Sequence, residues 1–90
     1  MPFAIICTDK PGSLQTRLDN RAAHLAHIDE SGIVIHAGPF LDADGQMCGS
    51  LVVLDTEERS AAEGWAAADP YALAGLFADV RIEHWKKVIG

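Results

Sequence analysis

Ninety residues suffice for one hydrophobic core but not two, and 49% hydrophobic with 22% charged residues is the balance of a folded chain, not a disordered one. A formal net charge of −6, with Lys86-Lys87 the sole adjacent basic pair, argues against nucleic acid and anionic membranes as partners, because both need clustered cations. The segment from Met1 to Cys7 lacks the basic start and long apolar run of a signal peptide, and no stretch approaches the ~20 apolar residues of a membrane span, so a cytoplasmic single domain over 1–90 is expected.

Phe3 to Thr8 reads as a strand with apolar residues on both faces, closed by Asp9-Lys10-Pro11-Gly12. Ser13 then offers an N-cap for a helix from Leu14 to Glu30, which Gly32 stops. At ~100° per residue, Leu14, Leu18, Ala22, Leu25 and Ile28 fall in one apolar stripe roughly 120° wide, expected to pack on a sheet. On that reading Arg17 and His24 lie at the stripe's edge, Arg21 lies nearer to it, and His27 projects into solvent.

Gly32 to Ala37 is a second strand, ended by Gly38-Pro39 because proline cannot continue a central ladder. Asp42-Ala43-Asp44-Gly45 is a turn, so the next run, Cys48 to Asp55, pairs antiparallel with the preceding strand as a hairpin. A helix from Thr56 to Ala68 follows, then a separate short turn opened by Asp69-Pro70, with proline at the first helical position. Asp79 to Trp85 alternates as the last strand.

The order β-α-β-β-α-β predicts an α+β fold, the ferredoxin-like split arrangement, with helices on one face of a four-stranded antiparallel sheet. The strand runs are apolar on both sides, so a second copy is expected to cover the other face, giving a homodimer. Cys7 and Cys48 lack any CxxC pattern and are expected to remain free thiols in a reducing compartment.

Arg21-Ala22-Ala23-His24-Leu25, Ala37-Gly38-Pro39 and Asp69-Pro70-Tyr71-Ala72-Leu73-Ala74-Gly75-Leu76-Phe77, together with Asp9-Lys10-Pro11-Gly12-Ser13 and Gly49-Ser50-Leu51, resemble the YCII (YciI-like) family over nearly the whole chain. The resemblance implies a dimeric α/β barrel of ferredoxin-like subunits and a His/Asp active-site pair, which by motif is His24 and Asp69. The family includes a dehydrochlorinase of chlorinated hydroxyquinones, and the wider barrel superfamily a muconolactone isomerase, so membership implies fold more firmly than reaction. One departure is His84 before Trp85, where the family often has proline.

A carboxylate that holds a histidine fixes its tautomer, which suits acid/base work. Asp69 can equally be a plain N-cap before Pro70, and both roles can coexist. Arg17 is a candidate for binding a substrate carboxylate or an ordinary exposed helix arginine, and Ser50 and Tyr71 can orient a ligand or serve as strand and turn residues. His24 and His27 are three apart, but without HExxH or a matching carboxylate they predict no metal site, and the glycines form no phosphate loop, so no cofactor is expected. Two function classes follow: a cofactor-independent lyase or isomerase acting on a small cyclic or hydroxylated organic acid, or a noncatalytic small-ligand protein using the same pocket.

Overall fold

The computed structural model describes residues 2–90. In chain order the elements are β1 (Phe3–Asp9), α1 (Leu14–Ser31), β2 (Val34–Leu41), β3 (Met47–Leu54), α2 (Arg59–Ala68), α3 (Pro70–Leu73) and β4 (Phe77–His84). The four strands form one sheet in the order β2-β3-β1-β4 with antiparallel pairing throughout, the ferredoxin-like arrangement. No helix among the described residues is long and apolar enough to cross a membrane.

Alternation along β1 and β3 sends Phe3, Ile5, Cys7, Val52 and Leu54 to the helix side, where they form the core with Ala62 and Trp65 of α2. The opposite alternates Ala4, Ile6, Leu51 and Val53 make the middle of the other face apolar, with Ala4 and Val53 buried and Ile6 and Leu51 half-buried, and beside them on β4 stand the charged Glu83 and Arg81. The hairpin between β2 and β3 turns at Asp42, whose Oδ1 accepts from the backbone N–H groups of Asp44 (2.9 Å) and Gln46 (3.0 Å). Gly32 ends α1 at φ 67°, a conformation glycine adopts without steric cost. Cys7 and Cys48 are free thiols.

Five expectations are corrected. The stripe Leu14, Leu18, Ala22, Leu25, Ile28 is not the buried face of α1. Its buried residues are Arg17 and His24, while Leu18 and Leu25 are 47% and 46% exposed. The buried face is thus turned about 100° from the stripe, roughly one residue of helix. His27, expected in solvent, is half-buried: its ring lies 4.4 Å from that of Trp65, and its Nε2 is 3.1 Å from the Trp65 carbonyl oxygen. Strand β2 does not stop at Gly38-Pro39 but runs through to Leu41, because it is an edge strand and one side of its ladder needs no N–H from Pro39. Finally, Ser13 makes no side-chain cap, and α2 begins at Arg59 because the Thr56 hydroxyl instead accepts from the Glu58 N–H (3.2 Å) in a turn.

Candidate functional site

Because α1 turns a polar face inward, it leaves a cleft between itself and the β2–β3 edge of the sheet. This cavity of about 130 Å³ has Arg17, His24, Ser50 and Tyr71 as its polar lining, with Arg21 also contributing, and Leu25, Ile28, Ala37, Gly38, Pro39 and Met47 as the remaining walls. Ser50 enters from β3 and faces the helices, since it pairs in register with Cys7, whose side chain is in the core. Pro39 pairs with Ser50 across the β2–β3 ladder, so the strand's continuation past Gly38 is what builds that wall.

His24 is held from the loop that follows α2. Its Nδ1 lies 2.8 Å from Asp69 Oδ1, and both side chains are buried. The same Oδ1 accepts from the Tyr71 backbone N–H at 3.0 Å, capping α3, and Pro70 occupies the first helical position. Asp69 therefore caps and holds at once. With the carboxylate as acceptor, Nδ1 carries the proton and Nε2 is the ring nitrogen left for the cavity that His24 lines. The Tyr71 ring stacks on the imidazole with centroids 4.0 Å apart, and Trp65 meets it edge-on at 6.4 Å.

Arg17 is not an ordinary exposed helix arginine, since it is buried. It forms a two-point pair with Asp9, Nε to Oδ2 and Nη2 to Oδ1 at 2.8 Å each, and the two side chains are 3% and 6% exposed. Nη2 also donates to Ser50 Oγ at 2.9 Å, and the guanidinium carbon sits 4.7 Å from the centre of the Tyr71 ring. Burial opposes the Arg17 charge, but the Asp9 carboxylate and the Tyr71 hydroxyl together outweigh it and raise the guanidinium above its usual value. Burial likewise raises the Tyr71 hydroxyl, partly offset by Arg17. Behind the site, burial pushes the Cys7 thiol up to about 12, with Asp69 adding to the rise and Arg17 opposing it.

The structure thus brings His24, Arg17, Ser50 and Tyr71 to one cavity, with Asp69 holding His24 from behind and Tyr71 itself buried rather than presented broadly to a ligand. Sequence reasoning missed Asp9 as the partner of Arg17. Its place at the end of a strand, eight residues before an inward-facing arginine, was the available signal.

A family model described as the YCII-related domain matches residues 1–86. The Protein YciI of Escherichia coli O6:H1 is 37% identical over 98% of this chain and 99% of its own length. An uncharacterised protein of Haemophilus influenzae is 36% identical over the same shares. Among solved structures, the 5-chloro-2-hydroxyhydroquinone dehydrochlorinase TftG of Burkholderia phenoliruptrix AC1100, in complex with 2,5-dihydroxybenzoquinone, is 39% identical and superposes with a TM-score of 0.88 over 96% of this chain and 94% of that one.

Proposed function

The chain belongs to the YCII-related domain family, and from that membership and the cavity's geometry we propose that it is a cofactor-independent enzyme moving a proton on a small cyclic, hydroxylated organic acid. The observation that carries this reading is the 2.8 Å contact of His24 Nδ1 with Asp69, which leaves Nε2 for the cavity. In it, Nε2 takes a proton from the bound ring, and the resulting imidazolium is stabilised by Asp69 through Nδ1–H. Returning the proton to another ring atom completes an isomerisation. Departure of a leaving group such as chloride with its bonding electrons completes an elimination, after which the ring proton passes to water. The likeness to a dehydrochlorinase of a hydroxylated ring supports the elimination form.

Arg17 and Ser50 are proposed to orient the substrate from the cavity floor, their mutual hydrogen bond fixing both donors in advance. Tyr71 is proposed to contact the ligand only at its cavity-lining edge and otherwise to position His24. The same reading takes the chain as one YCII-like domain and as a homodimer, supported by the half-buried Ile6 and Leu51 at the middle of the sheet face opposite the α2 core.

The test is chloride release and ring absorbance with 5-chloro-2-hydroxyhydroquinone, alongside a panel of hydroxylated ring acids and lactones. Turnover that falls at least about 100-fold in His24→Gln is expected. Equal turnover in that variant would overturn the proposal. Binding across the panel with no turnover by the parent protein would favour a noncatalytic ligand-binding role.

A further inference from the structure

Arg17 and Arg21 stand four residues apart on α1 and both line the cavity, yet their charges are committed differently. The Arg17 guanidinium is buried and neutralised by the two-point pair with Asp9. Arg21 is exposed, and it has no ion pair or hydrogen bond among the described residues. No carboxylate lines the cavity: Asp9 and Asp69 sit behind it, each already engaged, one with Arg17 and one with His24. An unpaired cation is therefore held at a cavity in a chain whose net charge is −6. Its field reaches the interior, since Arg21 is among the charges acting on the buried Tyr71 hydroxyl.

We propose that Arg21 is the specificity-determining residue of this cavity, binding an ionised oxygen on a planar cyclic substrate whose opposite edge meets His24. The inference rests on the proton-transfer reading above and adds the charge and shape of the substrate. Arg21 precedes His24 by three residues, roughly 4.5 Å along the helix axis, a span that matches the width of one six-membered ring. Ile28, Pro39 and Met47 supply flat apolar contact that any such ring can use, charged or not. Discrimination for the anion is thus left to Arg21, because the other cavity guanidinium is already neutralised. An ionised ring hydroxyl and a ring carboxylate present the same oxygen chemistry to a guanidinium.

The experiment is calorimetric binding to the parent protein, Arg21→Gln and Arg21→Lys, with three probes: 2,5-dihydroxybenzoquinone, 2,5-dihydroxybenzoate and the uncharged 2,5-dimethoxybenzoquinone. The parent is expected to bind at least one of the two anions more tightly than the ether, and whichever it prefers identifies the oxygen as hydroxyl or carboxylate. Arg21→Gln should weaken the preferred anion about tenfold and leave the ether unchanged, Arg21→Lys should recover most of the loss, and the effect should shrink in high salt, as for a partly exposed charge. Equal anion affinity in the parent and Arg21→Gln, equal weakening of all three probes, or no anion binding by the parent overturns the inference. The proton-transfer reading fails separately, if anion binding depends on Arg21 while turnover is indifferent to His24.

Discussion

Tyr71 is tied to His24 twice through one turn of chain: its ring lies 4.0 Å from the imidazole, and its backbone N–H donates to the Asp69 oxygen that holds His24 Nδ1. The orientation of the histidine is therefore a property of the Asp69-Pro70-Tyr71 turn as much as of helix α1.

Asp69→Asn and Asp69→Ala separate the two uses of that carboxylate. Asparagine keeps a capping oxygen, so its unfolding free energy in urea should fall by about 1 kcal/mol or less. Because its amide can also donate, it no longer dictates the ring tautomer, and kcat should drop about 10²-fold or more. Alanine loses the cap and leaves His24 Nδ1 without a partner, which should cost about 2–4 kcal/mol. An Asp69→Asn protein with parental kcat in the proposed reaction would sink the orienting role.

Arg17→Met should be among the most damaging substitutions, since it strands the buried Asp9 carboxylate and removes the donor to Ser50. The expected loss is about 3–5 kcal/mol, a large part of the ~5–15 kcal/mol typical of a whole domain. The double variant Asp9→Asn/Arg17→Met should be more stable than Arg17→Met alone. Chemical denaturation of the parent, the two single variants Asp9→Asn and Arg17→Met, and the double variant closes the cycle and gives the coupling.

Alkaline unfolding should carry a signature from Cys7. Its thiol ionises near 9.0 in the unfolded chain but only at about 12 when buried, so above pH 9 the unfolded state holds fewer protons and stability falls as pH rises toward 12. Tyr71, also raised by burial, adds a loss of the same sign above its ordinary value of 10.0. Melting temperatures of Cys7→Ala should decline less steeply over pH 9–11 than those of the parent. In the native protein a thiol reagent at pH 8 should modify the half-buried Cys48 and spare Cys7.

Gly49→Ala should be disruptive even though alanine suits strands better than glycine. A β-carbon there would run into the Cys7 carbonyl oxygen, a backbone atom of the paired strand that cannot move aside, and would press on the Phe40 ring. A loss of about 1–3 kcal/mol by thermal melt is expected, with no comparable effect for alanine at Gly38, where the space is open.

The element order and the hairpin turn were legible in the sequence, because turn chemistry at Asp42–Gly45 and the Asp69-Pro70 cap act locally. The rotation of α1 was not. Periodicity assigns a stripe by polarity, but here the inward positions are Arg17 and His24, whose burial depends on Asp9 and Asp69, residues 8 and 45 places away in sequence. His27 was misread for the same reason: turning the helix about 100° brings it onto Trp65. Pro39 misled because its meaning depends on whether the strand lies at the edge or centre of the sheet, which is decided by pairing between distant segments. The residues gathered at and behind the cavity, His24, Asp69, Arg17, Ser50 and Tyr71, were nevertheless singled out in the sequence, and what sequence lacked was the map of which charges are already satisfied.

The polar inner face of α1 has a consequence for how this scaffold can diversify. The apolar core lies mainly between the sheet and α2, so the cleft and most of the fold's cohesion are carried by different helices. Changes at Leu25 or Met47, neither of which packs on that core, can reshape the cleft with little loss of cohesion, whereas the Asp9–Arg17 and His24–Asp69 pairs behave as fixed struts. The lining of the cleft can therefore change by single steps at its wall, each nearly neutral for folding, while the buried His24–Asp69 pair is carried forward unchanged.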